Sequence, residues 1–145
     1  MVSISTHDSC PSEEAAIVDR GIGDSDNAAA PLHEVQPISC FARSESGLVI
    51  GGAIGRRWGA CCELRQLWVE PSHRMQGIGN ELLLAFEEHA KSHGCTLFFL
   101  ATFDFQAPGL YQSHGYHVEF ERKGYPHGIV KYHMVKQVVG VETSG

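Results

Sequence analysis

The chain has 145 residues, 43% of them apolar and 19% charged, which is enough apolar material for one core and too little for a second domain of any size. Eleven Lys and Arg stand against 17 Asp and Glu, a net charge of −6 with neutral histidines, and this balance speaks against nucleic acid as the main partner. Apolar runs fall short of the 18 residues of a membrane span, and residues 1–8 lack a basic stretch followed by an apolar one, so the expectation is a cytoplasmic protein with no membrane partner.

Val2 to Thr6 alternates as a short strand, and Pro11 to about Gly21 reads as a helix with Ser9 or Ser12 near its cap. Asp24 to Pro37 reads as loop, with room for a short second helix. Ile38 to Arg43 and Leu48 to Trp58 predict a hairpin about Ser44-Glu45-Ser46-Gly47, and Ala60 or Cys61 to Val69 returns as the next strand. Gly51, Gly52 and Gly55 weaken an isolated strand and are expected to mark bulges or close approaches.

From Gly77 the period changes. Ile78, Leu82, Phe86 and Ala90 recur at helical spacing beside Leu83 and Ala85, with Glu81, Glu87, Glu88 and Lys91 at the other positions and Gly94 as the stop. Thr96 to Thr102 is apolar on both faces, which predicts a central strand running parallel to Cys61–Val69 through a right-handed crossover. Pro108 and Gly115 bracket a short helix carrying Leu110 and Tyr111, and Tyr116 to Phe120 and Ile129 to Val135 close the sheet. The expected architecture is an α/β chain with a mixed, mostly antiparallel sheet flanked by helices, one domain over residues 1–137 and a flexible tail over residues 138–145.

Cys10, Cys40, Cys61, Cys62 and Cys95 make no C-x-x-C pair, and nine histidines make no H-E-x-x-H run, so neither a metal site nor a disulfide framework is expected. The chemistry points instead to Arg74-Met75-Gln76-Gly77-Ile78-Gly79, which follows a strand and opens the amphipathic helix. A helix N-terminus offers unpaired N–H groups and partial positive charge, glycines admit a close anion, and an arginine adds a forked contact. Leu82 stands where a dinucleotide fingerprint wants its third glycine, and a G-x-x-x-x-G-K-[ST] run is missing, so neither nucleotide motif fits.

In these residues the chain resembles the GNAT superfamily of acyl-CoA-dependent N-acyltransferases, whose R/Q-x-x-G-x-G/A signature matches Arg74, Gly77 and Gly79. The likeness extends from the Leu48–Gly55 strand through Glu63–Val69 and the helix to Ala107-Pro108-Gly109-Leu110-Tyr111 and the final apolar strand, with residues before about Pro37 fitting the pattern poorly. Leu110-Tyr111-Gln112-Ser113-His114-Gly115-Tyr116 matches the family's L/F-Y-x-x-x-G-F/Y pattern. It implies a GNAT fold whose central parallel strands splay, and acetyl-CoA as co-substrate. The pyrophosphate would lie on Arg74, Met75, Gln76, Gly77, Ile78, Gly79 and Asn80, and the pantetheine arm along the backbone of Leu67, Trp68 and Val69. Asp104 stands where many members carry an asparagine that meets this arm; a carboxylate accepts there but cannot donate.

The resemblance further implies N-acetyl transfer to the primary amine of a small molecule by direct attack, with Glu63 as general base and Tyr111 as general acid. The plainer readings are a strand glutamate paired with Arg65 and a packing tyrosine. Competing functions are a non-catalytic acyl-CoA sensor or regulatory module and a flavodoxin-like nucleotide binder. A protein amine stays open as acceptor, residues Tyr125-Pro126-His127-Gly128 are candidates for lining its pocket, and exposed sheet edges in such folds often pair, which makes a homodimer an expected option.

Overall fold

Residues 1–139 are described by the computed structural model, in two units divided between Glu34 and Val35. In the first unit, helix α1 spans Ser12–Ala29 and a single 3-10 turn covers Leu32–Glu34. Two expectations fail here. Val2 to Thr6 is not a strand, since no partner strand takes up its backbone groups, and the helix runs eight residues beyond Gly21, through a stretch expected to be loop. The stretch Asp24–Ala30 contains four residues of low helix propensity, yet the three alanines at its end favour helix and Pro31 lies just past the stop.

The second unit holds one six-stranded sheet: β1 Gln36–Arg43, β2 Val49–Trp58, β3 Cys61–Val69, β4 Leu97–Phe103, β5 His117–Arg122 and β6 Lys131–Gln137. Helix α2, Ile78–Ser92, joins β3 to β4, and the short α3, Pro108–Ser113, joins β4 to β5. The spatial order is β1-β2-β3-β4-β6-β5, with β3 and β4 parallel and every other neighbouring pair antiparallel. The mixed sheet and central parallel pair are as the apolar patterns predicted. Val138 still belongs to this unit, its N–H donating to the Thr96 carbonyl at 2.7 Å; the rest of the expected tail, from residue 140, lies outside the described residues.

Alternation sends Ile38, Ala53, Cys62, Leu64, Phe98, Leu100 and Met134 to one face, where they pack with Leu83, Phe86 and Ala90 of α2. The glycines of β2 allow this packing. A Cβ on Gly55 would sit 2.0 Å from the Glu63 carbonyl oxygen and 2.8 Å from Phe86, so only glycine lets β2, β3 and α2 approach so closely. Helix α2 ends as Gly94 predicted: Gly94 takes φ +88, and the N–H groups of Gly94 and Cys95 donate to Lys91 and Ala90, a double C-terminal closure.

Glu87 departs from its expected exposed position. It lies one residue past Phe86 and one turn past Leu83, and is 1% exposed. Lys136 of β6 supplies the counter-charge at 2.5 Å, and the Tyr116 hydroxyl donates to the other carboxylate oxygen at 3.1 Å. Burial, then this carboxylate, pushes the Tyr116 phenol far above its ordinary pKa. The prediction is that Lys136→Met, which strands a buried carboxylate, lowers unfolding free energy by about 3–5 kcal/mol in urea titrations, and that adding Glu87→Leu recovers most of the loss.

Candidate active site

Strands β3 and β4 are paired only at Cys61↔Leu97, Cys62↔Phe98 and Glu63↔Phe99. Beyond Glu63 each strand keeps its antiparallel neighbour: β3 stays on β2 as far as Val69↔Gly51, and β4 stays on β6 as far as Phe103↔Lys131. The edge of β3 that faces β4 therefore leaves its strand partner from Leu64 onward, with the Val69 carbonyl at its end taken up by Arg74, and the stretch between is a ready template for an extended, amide-bearing ligand.

Two cavities meet at this opening. One, of about 630 Å³, runs from Leu67, Trp68 and Val69 past His73, Arg74 and Met75 to the first turn of α2 and to Phe105, Ala107 and Leu110. The other, of about 510 Å³, is lined by Phe41, Gly52, Ile54, Arg65, Gln66 and Thr102 among others. Leu67, Trp68, Gln106 and Tyr111 line both, so they stand at the passage between them.

The first cavity ends on a bare helix start. Gly77, at the N-cap of α2, is left-handed at φ +80 and has no side chain to cap the helix, while Glu81 makes the first intrahelical bond back to its carbonyl at 3.1 Å. The amides of Gly77, Ile78, Gly79 and Asn80 thus precede the first internal bond, and the positive end of the helix dipole lies at the wall of this cavity. Met75 also takes a positive φ, +66, which for a side-chain-bearing residue is strained backbone at the mouth of the cavity. Arg74 donates through Nε to the Val69 carbonyl at 2.9 Å, so its planar fork is held in place at the end of β3.

Short polar links tie these pieces together. Glu70 accepts from the Ser72 N–H and hydroxyl and contacts His73 Nδ1 at 3.0 Å; the Ser72 hydroxyl, then His73, hold its carboxyl below the ordinary carboxylate range. Asn80 Oδ1 meets His114 Nε2 at 2.7 Å, which links the first turn of α2 to the end of α3. On α3, Tyr111 is 9% exposed and stacks edge-on against Tyr116, with ring centroids 5.9 Å apart. Burial raises its phenol pKa above the ordinary 10.0, so it keeps its proton through neutral and mildly alkaline pH.

Of the residues singled out from the sequence, Leu67, Trp68, Val69, Arg74, Met75, Gly77, Ile78, Gly79, Asn80 and Tyr111 all line the first cavity. Gln76 is exposed beside it, and Asp104 is turned away, its N–H donating to the Val130 carbonyl and its Oδ2 accepting from the Val130 N–H. Glu63 lines neither cavity; its carboxylate meets Arg56 of β2 at 2.9 Å and Arg65 only at 4.0 Å, so the cross-strand arginine is the closer partner. Tyr125 to Gly128 also stay outside both cavities, with Tyr125 edge-on to Phe103 at 5.4 Å.

Sequence reasoning missed Phe41, Ile54, Arg65, His73, Phe105 and Gln106. A bulge hid several of them. Ile54 pairs Gln66 while Gly55 pairs Leu64, so Arg65 is an extra residue in β3 and the alternation changes phase there. Arg65, Gln66 and Trp68 are therefore aimed to the face away from α2, where Gly52 opens room. A Cβ on Gly52 would meet the Phe41 ring at 2.8 Å.

Residues 8–116 match the model of the acetyltransferase (GNAT) family. A blasticidin-S acetyltransferase from Streptomyces morookaense is 33% identical over 112 residues, 74% of this chain and 82% of that protein. An acetyltransferase crystal structure from Bacillus cereus superposes with a TM-score of 0.75 at 26% identity, covering 92% of this chain and 98% of that one. Nourseothricin acetyltransferase shares the fold with a TM-score of 0.61 at 20% identity, over 71% of this chain and 66% of that one.

The left-handed turn at Gly77 is testable apart from any ligand. Open space surrounds the position of a Cβ there, so Gly77→Ala carries backbone strain alone, a loss of about 1–2 kcal/mol in urea unfolding; an unchanged midpoint would show that the turn relaxes freely.

Proposed function

Because the chain belongs to the GNAT family of acetyltransferases and is an acyl-CoA N-acyltransferase, we propose that it transfers the acetyl group of acetyl-CoA to the primary amine of a small molecule. The observation that carries this reading is the passage where two cavities share Leu67, Trp68, Gln106 and Tyr111, one ending on a bare helix start and the other lined by side chains of the opposite face. The donor occupies the first cavity and the amine the second.

The residues present fit that donor. The amides of Gly77 to Asn80 receive the pyrophosphate, and Arg74, engaged with Val69 through Nε, turns its terminal nitrogens to the same charge. The edge at Leu67 and Trp68, parted from β4, accepts the pantetheine amides as an added strand, and Val69, its carbonyl held by Arg74, ends it. The donor supplies an activated thioester carbonyl. With Asp104 held on Val130, the arm relies on this backbone edge rather than on that side chain.

Tyr111 stands at the passage, and its raised phenol pKa keeps it a hydrogen-bond donor toward the departing sulfur. Glu63 lies on the strand face that also carries Arg65, lines neither cavity, and removes the ammonium proton through an intervening water. Glu63 passes that first proton on to solvent; the amine lone pair then adds to the thioester carbonyl, and the C–S bond breaks as the carbonyl re-forms. The sulfur leaves as the thiol with the proton Tyr111 offers, and the second amine proton returns through water to the Tyr111 phenolate, so both residues end as they began. A small-molecule acceptor agrees with the name of the relative from Streptomyces morookaense.

Chromatographic detection of CoA release across a panel of amines tests the reaction; release that depends on one amine class is the expected result, and none with any amine would overturn it. Arg74→Ala is expected to weaken acetyl-CoA binding by about 1.5–3 kcal/mol, read by calorimetry, with kcat little changed. Tyr111→Phe should lower kcat by about 10²–10⁴-fold with acetyl-CoA affinity intact. Since the phenol acts while protonated and its pKa is raised, activity that depends on it is lost only as pH climbs beyond 10.0, and that alkaline limb should vanish in Tyr111→Phe.

A further inference from the structure

The charge of the second cavity narrows its occupant. Arg65 is the one formally charged side chain among the described residues that line it; no Asp or Glu does, in a chain whose net charge is −6. Amine acceptors are cationic in water, so an acceptor recognised through its ammonium alone would call for a carboxylate here. The cavity offers a guanidinium instead.

That guanidinium is under-compensated. The nearest carboxylate, Glu63, is 2.9 Å from Arg56 Nε and 4.0 Å from Arg65 Nε, so Arg56 holds the close ion pair and the trio keeps a net charge of +1. Arg65 is also placed by design of the backbone, since the bulge in β3 makes it the extra residue and aims it onto the face of Gln66 and Trp68. Around it the wall is mixed: Phe41 lies over Gly52, with Ile54 and Trp68 beside it as apolar surface, while Gln66, Thr102 and Gln106 add neutral polar groups.

We infer that the acceptor is a primary amine that also bears an oxyanion, carboxylate or phosphate, on an apolar body, and that Arg65 determines this preference by a forked, charge-assisted contact with the anionic group. The ammonium then points toward the passage at Tyr111, and the oxyanion stays at the rim. This rests on the second cavity being the acceptor's.

The test uses matched amines: phenylalanine, tryptophan and leucine, each beside its amide and its decarboxylated amine, together with O-phosphoethanolamine beside ethanolamine. CoA release is followed by chromatography for the native chain, Arg65→Ala and Arg65→Lys. The expected result is a kcat/KM at least about tenfold higher for the anionic members, carried by KM. In Arg65→Ala that ratio collapses toward one, and in Arg65→Lys it returns in part. A native preference for the uncharged or decarboxylated members, or an equal loss for both classes in Arg65→Ala, overturns the inference and leaves N-acetyl transfer standing. Turnover of no member, while a broader amine panel releases CoA, overturns it equally; no release with any amine removes the reaction and the inference together.

Discussion

The site depends on one break in a hydrogen-bond ladder. Two parallel strands normally continue pairing as far as both extend, because buried backbone groups need partners. Here β3 and β4 part after three residue pairs, while each stays on its antiparallel neighbour. Beyond the parting, Glu70 still donates to Ile50 on the β2 side, and Asp104 still exchanges bonds with Val130 on the β6 side. The parted edge that results would be a liability on a free surface; between two cavities it becomes a place for a ligand whose amides complete the sheet.

Everything near the gap is braced against the core. Helix α2 brings the bare amides of its first turn to the end of β3 and buries its other end through Leu83, Phe86 and Ala90. Its one buried charge, Glu87, ties it to Lys136 of β6 and to Tyr116, whose ring backs Tyr111. Helix α2 and the far side of the sheet therefore share one buried polar network of Glu87, Lys136 and Tyr116, and the Tyr116 ring carries it to Tyr111. The His114–Asn80 contact closes the same circuit at the surface.

The bulge at Arg65 sets which side chains line the other cavity. Without the extra residue, Trp68 would fall on the face of α2 and Leu67 on the face of Glu63; with it, Glu63, Arg65, Gln66 and Trp68 share the face away from the helix. A single inserted residue thus gathers a carboxylate, a guanidinium, an amide and an indole around the opening. The glycines of β2 let Phe41 lie across the strand to complete the wall.

What the sequence alone determined is what local chemistry dictates. The 3.6-residue period of α2, its Gly94 stop, the hairpin glycine at position 47, the doubly apolar β4 and the Arg74–Gly79 turn each follow from propensity, periodicity or backbone freedom within a dozen residues, and all are found where they were read. The tertiary structure decided what depends on partners far along the chain. Glu87 is buried because Lys136 lies 49 residues away in sequence and 2.5 Å away in space. Glu63 faces Arg56 rather than Arg65 because antiparallel registry brings the former opposite it. Asp104 is drawn to Val130, 26 residues on, and the gap opens between β3 and β4, which a whole helix separates in the chain, so no single segment records either. A bulge adds one residue without changing composition, so the cavity it aims became legible only once the strands had been paired.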